Sequence, residues 1–244
     1  MSIAAFNAAS PRLAGVFLLL TALATAIMVP TRIMADADQP TLRLSLEAID
    51  ENTLAYIYSA VARIASGIFL VVAAGLLRSV TTPWFSAPAK LATTALSLSG
   101  VITVVSGVCA LILTNIGPSA IAFDDAGLFE LASRLDTARW ITGKLGFSLA
   151  GLGLIALAPV QWRVGGLLKG AAVADLVIGV VMLFIWVDAA TAMHRVSGIA
   201  FLAWLVVSGI WLVAGRLKPP APTLDADDAP QNATGEYEYG RPRY

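Results

Sequence analysis

Three ionisable side chains stand where apolar helices would hold them in hydrocarbon: Arg63, Lys144 and Asp175. Each costs about 2.5–3.5 kcal/mol at the centre of a span on insertion scales, so a chain that keeps one keeps it for a reason. Counted from the ends of their apolar runs, Arg63 and Asp175 fall close to the bilayer midplane, within about a turn of each other in depth. Opposite charges at matched depth predict an ion pair joining the second span to the fifth. Such a pair has two chemical meanings. Asp175 can act as a proton or cation acceptor tuned by Arg63, or the pair can fix helix register, the usual fate of intramembrane charges. Lys144 lies nearer the surface, about 9 Å from the midplane, and its stem is long enough to snorkel to water.

A second group gathers where the loops meet: Asp136, Arg139, Asp188, His194 and Arg195, accompanied by Trp140, Trp186 and Thr191. His194 is the only histidine and titrates near neutral pH, so the group reads as a pH-sensing or substrate-binding vestibule. The same residues also make an ordinary interface belt, with tryptophans at headgroup level and charges in water.

Many chemistries are excluded by counting. One histidine and one cysteine supply no bis-histidine haem, no HExxH, no Cys/His zinc set and no Glu-x-x-His di-iron pattern. No Walker A or dinucleotide glycine fingerprint is present, and no G-x-S-x-G elbow. The sequence therefore calls for no cofactor and no metal. Cys109 sits inside an apolar run as a small hydrophobe. A net charge of zero argues against nucleic acid as a partner, since nucleic-acid binders carry a basic patch or stripe.

The elements that must position these residues are spans. Only 13% of the residues are charged, against about 25% in a soluble domain, and mean hydropathy is +0.79. Too few solvated groups remain to cover a water-facing surface, so lipid must cover much of it. Six apolar stretches, at about 13–34, 54–78, 89–116, 138–162, 166–188 and 192–216, each meet the length of a helical span. They lack the alternation of barrel strands, and lipid satisfies no backbone group, so helices are the form expected. The last two are joined by AATAM, too short for anything but a hairpin turn. The first, LAGVFLLLTALATAIM after Arg12, is too long and too weakly basic at its start for a cleaved signal, and is read as an uncleaved helix.

Charge sorting orients the spans. One side collects Arg12, Arg78, Lys90, Arg163, Lys169, Arg216 and Lys218, with no acid before the tail. The other holds Asp36, Asp38, Glu47, Asp50, Glu51, Asp124, Asp125, Glu130, Asp136 and Asp188, with Arg32, Arg43, Arg134, Arg139 and Arg195. The positive-inside rule then puts both termini in the cytoplasm. On the acidic side, LRLSLEAIDENTLAYIY and DDAGLFELASRLDTARW read as amphipathic helices, the second capped by Asp124 or Asp125. Residues 43–116 and 124–188 echo each other loosely as two parallel copies, each with an early cation, Arg63 or Lys144. Gly166-x-x-x-Gly170 is a small-xxx-small pair of the kind that packs helices closely. From 218 to 244 the chain is rich in Pro, Asp and Gly and is expected to be a disordered cytoplasmic tail.

In layout, with LAYIYSAVARIASGIFLVVAAGLL and WITGKLGFSLAGLGLIALA as the most similar phrases, residues 13–216 resemble a bacterial family of six-helix integral membrane proteins of unknown function. The resemblance implies the helix count, adds nothing on mechanism and carries no catalytic residue; the location expected is the plasma membrane. The expectation is an all-α, six-transmembrane-helix bundle, residues 1–217, embedded in the lipid bilayer with both termini cytoplasmic. Its function is expected to be that of a small transporter-like or sensor module built on Arg63 and Asp175. The alternative is an accessory subunit of a larger membrane complex or homo-oligomer. A membrane enzyme acting on a lipid-soluble substrate is the weaker third reading.

Overall fold

The computed structural model describes residues 3–81, 86–187 and 191–215. Seven α-helices account for nearly all of them: α1 Ile3–Ala35, α2 Leu42–Glu51, α3 Thr53–Thr81, α4 Ser86–Phe123, α5 Ala126–Val164, α6 Leu168–Leu183 and α7 Thr191–Val213. A single 3₁₀ turn, Phe184–Trp186, closes α6. All except α2 are long and apolar enough to cross a membrane, six in total, so the chain has the architecture of a membrane bundle. The tail from 218 lies outside the described residues.

Neighbouring helices pack antiparallel in the ring order α7, α1, α3, α4, α5, α6, with the slightest packing where α6 returns to α7. Lipid tails are as apolar as leucine, so burial alone does not drive such helices together; close van der Waals packing does. Glycine supplies it here. A Cβ on Gly67 of α3 would lie 2.5 Å from the Gly100 carbonyl oxygen of α4, and one on Gly100 would lie 2.6 Å from that of Gly67. Gly151 and Gly179 repeat this reciprocal contact between α5 and α6, at 2.7 and 2.5 Å, and Gly15 and Gly209 repeat it between α1 and α7, at 2.6 and 3.0 Å. Six glycines, one per span, set the closest approach of three helix pairs.

The register of these contacts bears on the internal echo. It matches Gly67 with Gly151 and Gly100 with Gly179, so the α3–α4 and α5–α6 hairpins do share a packing scheme. The same register carries Arg63 onto Phe147 rather than Lys144, so the two cations are not counterparts. Gly166-x-x-x-Gly170 is not a packing pair either. Gly166 and Gly165 adopt left-handed φ of 61° and 83° in the tight turn between α5 and α6, and a Cβ on Gly170 would meet nothing within 4 Å.

A central core of Leu18, Leu70, Leu96, Leu154, Met182 and Leu205 draws on all six long helices. The basic residues Arg12, Arg78, Lys90, Arg163 and Lys169 fall at one end of the bundle and the acidic loops at the other, as charge sorting predicts. At the acidic end the two amphipathic segments part ways. The first is the separate helix α2, which buries Leu46 and Ile49 against a cluster that includes Leu113 and Ala120 of α4. The second is continuous with its span, giving α5 its 39 residues, and Asp125 caps it by accepting from the backbone N–H of Gly127 and Leu128 at 2.7 and 3.0 Å.

Candidate functional site

At the acidic end, the connection from α1 to α2 is built to hold one carboxylate. Asp36 ends α1 in a left-handed conformation, φ 48°, and its carbonyl accepts from Gln39 Nε2 at 3.0 Å. The Gln39 backbone N–H donates to Ser45 Oγ at 3.2 Å, and the Thr41 hydroxyl caps α2 at the Leu44 N–H, 3.3 Å. This fold turns Asp38 back onto Arg32 in the last turn of α1, which bonds it through both Nε and Nη2.

Arg139, on the face of α5 that meets this connection, is the centre of the cluster. Its side chain is 3% exposed and donates to Asp136 Oδ1, one turn back, from Nε at 3.0 Å and from Nη2 at 2.5 Å. Asp38 stands 3.7 Å from the same guanidinium. Trp140 lies beneath both cations, 5.3 Å from Arg139 and 5.8 Å from Arg32, in cation–π range. A cavity of about 240 Å³ opens here, with Asp38, Gln39 and Ser45 on one wall and Ser133, Asp136 and Arg139 on the other.

Arg63 joins this end and not Asp175. Its Nη1 donates to Ser106 Oγ of α4 at 2.9 Å, and that hydroxyl donates in turn to the Arg139 carbonyl at 2.9 Å. Asp175, 0% exposed on α6, accepts from Trp204 Nε1 of α7 at 2.7 Å and from Gln161 Nε2 of α5 at 2.9 Å. The predicted Arg63–Asp175 ion pair is therefore absent among the described residues. The contacts on α5 explain why: Arg139 and Gln161 are about six turns apart, or about 33 Å along a helix. Matched depth does not make partners: α3 and α6 are not neighbours in the ring, so Arg63 meets α4 through Ser106, while Asp175 meets residues of α5 and α7.

The remaining candidates separate. Lys144 Nζ lies 5.7 Å over the Trp186 ring, and Trp186 Nε1 donates to Ser148 Oγ at 2.8 Å, so lysine and tryptophan pack together near the acidic end. Trp140, Ile141, Lys144 and Trp186 line a second, more open cavity of about 340 Å³. Asp188 lies outside the described residues. His194 and Arg195 stand in the first turns of α7, and their side chains lie outside the described set. Of the expected outer-mouth group, the structure brings together Asp136, Arg139 and Trp140.

Sequence reasoning missed Arg32 and Asp38 as site residues, because both read as ordinary loop charges. Gln161 and Trp204 were also missed: Gln161 sits near the end of α5, and Trp204, midway along α7, reads as one more apolar residue of its span. No known protein family, curated protein or solved structure matches the chain.

Proposed function

We propose that this is a sensor-like module of a bacterial plasma membrane, with both termini cytoplasmic and the cavity between the α1–α2 connection and α5 facing outward as its ligand site. The excess of Lys and Arg at the opposite end supports that orientation. One observation carries the reading: the two cavity walls are bridged by the Asp38–Arg139 contact, which at 3.7 Å is the loosest link of the cluster. A polar ligand in the cavity would compete for Arg139 and release Asp38, shifting the α1–α2 connection against α5. A volume of about 240 Å³ suits a small ligand rather than a drug-sized one, which takes about 300–1,000 Å³.

The test is a thermal-shift screen of small polar compounds on the full chain in nanodiscs, followed by Ser133→Leu to fill the cavity. A compound that stabilises the wild type and not the variant supports the reading; no responder among sugars, amino acids and small acids opposes it. An accessory-subunit reading is favoured by a different observation. Gly75, Gly170 and Gly198 are helical glycines around which a Cβ would meet nothing within 4 Å, leaving notches on the bundle surface. Cross-linking in native membranes that captures one stoichiometric partner through those notches would favour it over the sensor.

A further inference from the structure

The cavity between the α1–α2 connection and α5 exposes charge of one sign and hides charge of the other. Asp38 and Asp136, on its opposite walls, have side chains 45% and 28% exposed, whereas that of Arg139 is 3% exposed. A ligand entering from solvent meets carboxylates first, and these accept a positive group.

Arg139 nevertheless has a donor to offer. Its Nε and Nη2 both bond Asp136 Oδ1, while Nη1 has no hydrogen-bond partner among the described residues. Among those residues the buried side-chain atoms sealed off without a partner are the Tyr56 hydroxyl and Gln161 Oε1, so Nη1 still meets open space. The cavity is the space that Arg139 lines. A guanidinium N–H in a buried side chain costs free energy until an acceptor reaches it, and a carboxylate is the strongest one. Both bonds from Arg139 go to Asp136 Oδ1, which leaves Oδ2 for a ligand donor. Ser133 and Thr137, one turn apart on α5, add hydroxyls that both donate and accept.

Net charge then selects the ligand. The two exposed carboxylates are balanced by Arg139 and by Arg32, which bonds Asp38. A lone anion must pass both carboxylates, at an end of the bundle rich in acids; a lone cation leaves Nη1 without an acceptor. A zwitterion answers both groups and adds no net charge. Because Asp38 stands only 3.7 Å from the Arg139 guanidinium, the two charges of that zwitterion must lie close together, as they do in an α-amino acid. About 240 Å³ leaves room for a small side chain.

We propose that this cavity binds a free α-amino acid with a small side chain, its carboxylate on Arg139 Nη1 and its ammonium between Asp136 and Asp38. The inference rests on the sensor reading and names the class of its ligand.

The test follows the unfolding midpoint of the full chain in nanodiscs during titration with glycine, L-alanine and L-serine. Propionate and ethylamine, each with one of the two charges, γ-aminobutyrate, with both far apart, and glucose, with neither, are titrated in parallel. At least one α-amino acid is expected to raise the midpoint saturably at concentrations where the four controls do not. Ser133→Leu, at an exposed position, should abolish the response. Asp38→Asn keeps the shape of the connection and should weaken affinity about tenfold, the loss of one hydrogen bond to a charge. A response to a control and not to the amino acids, lost in Ser133→Leu, overturns the ligand class and leaves the sensor reading standing. An amino-acid response kept by Ser133→Leu, or unchanged in Asp38→Asn, overturns the site. No response to any compound overturns both.

Discussion

Arg139 at the acidic end and Asp175 in the basic half are both almost wholly hidden, yet they are satisfied by different means. Arg139 is bonded to Asp136 and stands beside Asp38, which are themselves partly exposed. Among the described residues Asp175 meets no cation within ion-pair distance, only the N–H groups of Trp204 and Gln161. Near the surface, charge can be answered by charge, because the partner carboxylates keep some hydration and the desolvation penalty is shared. In the bundle interior a second charge would double that penalty, and two neutral dipoles are the less costly answer. The same difference assigns roles. The acidic-end cluster ties loops to helices and borders a cavity. Asp175 fastens α7 to α6, where the helix ring is otherwise most thinly packed.

The largest effect that would break this comparison is removal of Asp136. Asp136→Ala strands a buried guanidinium with only the looser Asp38 contact, and should cost about 3 kcal/mol of stability in detergent unfolding. Adding Arg139→Met should recover much of that loss. Next comes Trp204→Phe. It preserves the ring stacked 5.8 Å from Phe201 but removes a donor to a carboxylate, at about 1.5–3 kcal/mol. Asp175→Asn should lie within about 1 kcal/mol of wild type, since its amide can accept from Trp204 and, once the Gln161 amide turns over, donate to Gln161 Oε1, which is buried with no partner among the described residues. Ser106→Ala, which breaks the bridge from Arg63 to the Arg139 carbonyl, should cost about 1 kcal/mol. Arg134→Gln disrupts only an exposed pair with Glu130 and should change stability by less than about 0.5 kcal/mol. Equal costs at Asp136 and Arg134 would erase the distinction between cluster and surface.

The spans were legible because hydrophobic length is a local property. Apolar runs carry it in their own residues, and all six appear as helices, though α4 continues to Phe123 instead of ending near 116. The end-to-end charge sorting was legible for the same reason. Partners were not, because partnership depends on depth and rotation, which loop counting fixes poorly. Arg139 and Gln161 stand at opposite ends of the expected span 138–162 itself, but nothing local says which side chain of a neighbouring helix each one meets. Asp175 was correctly singled out as costly, but its compensation by Trp204 and Gln161 leaves no charge pattern to read. Gly67, Gly151 and Gly179 fit as closely as they do only because a facing glycine lies opposite, a fact that no single helix contains.

The central claim is that Arg63 and Asp175 belong to separate networks. A double-mutant cycle on Arg63→Gln and Asp175→Asn, read by unfolding in detergent, tests it directly. Separate networks predict additivity within about 0.5 kcal/mol. A coupling energy well above about 1 kcal/mol, with the double variant more stable than the two single changes allow, would mean the two charges meet, and would contradict the account.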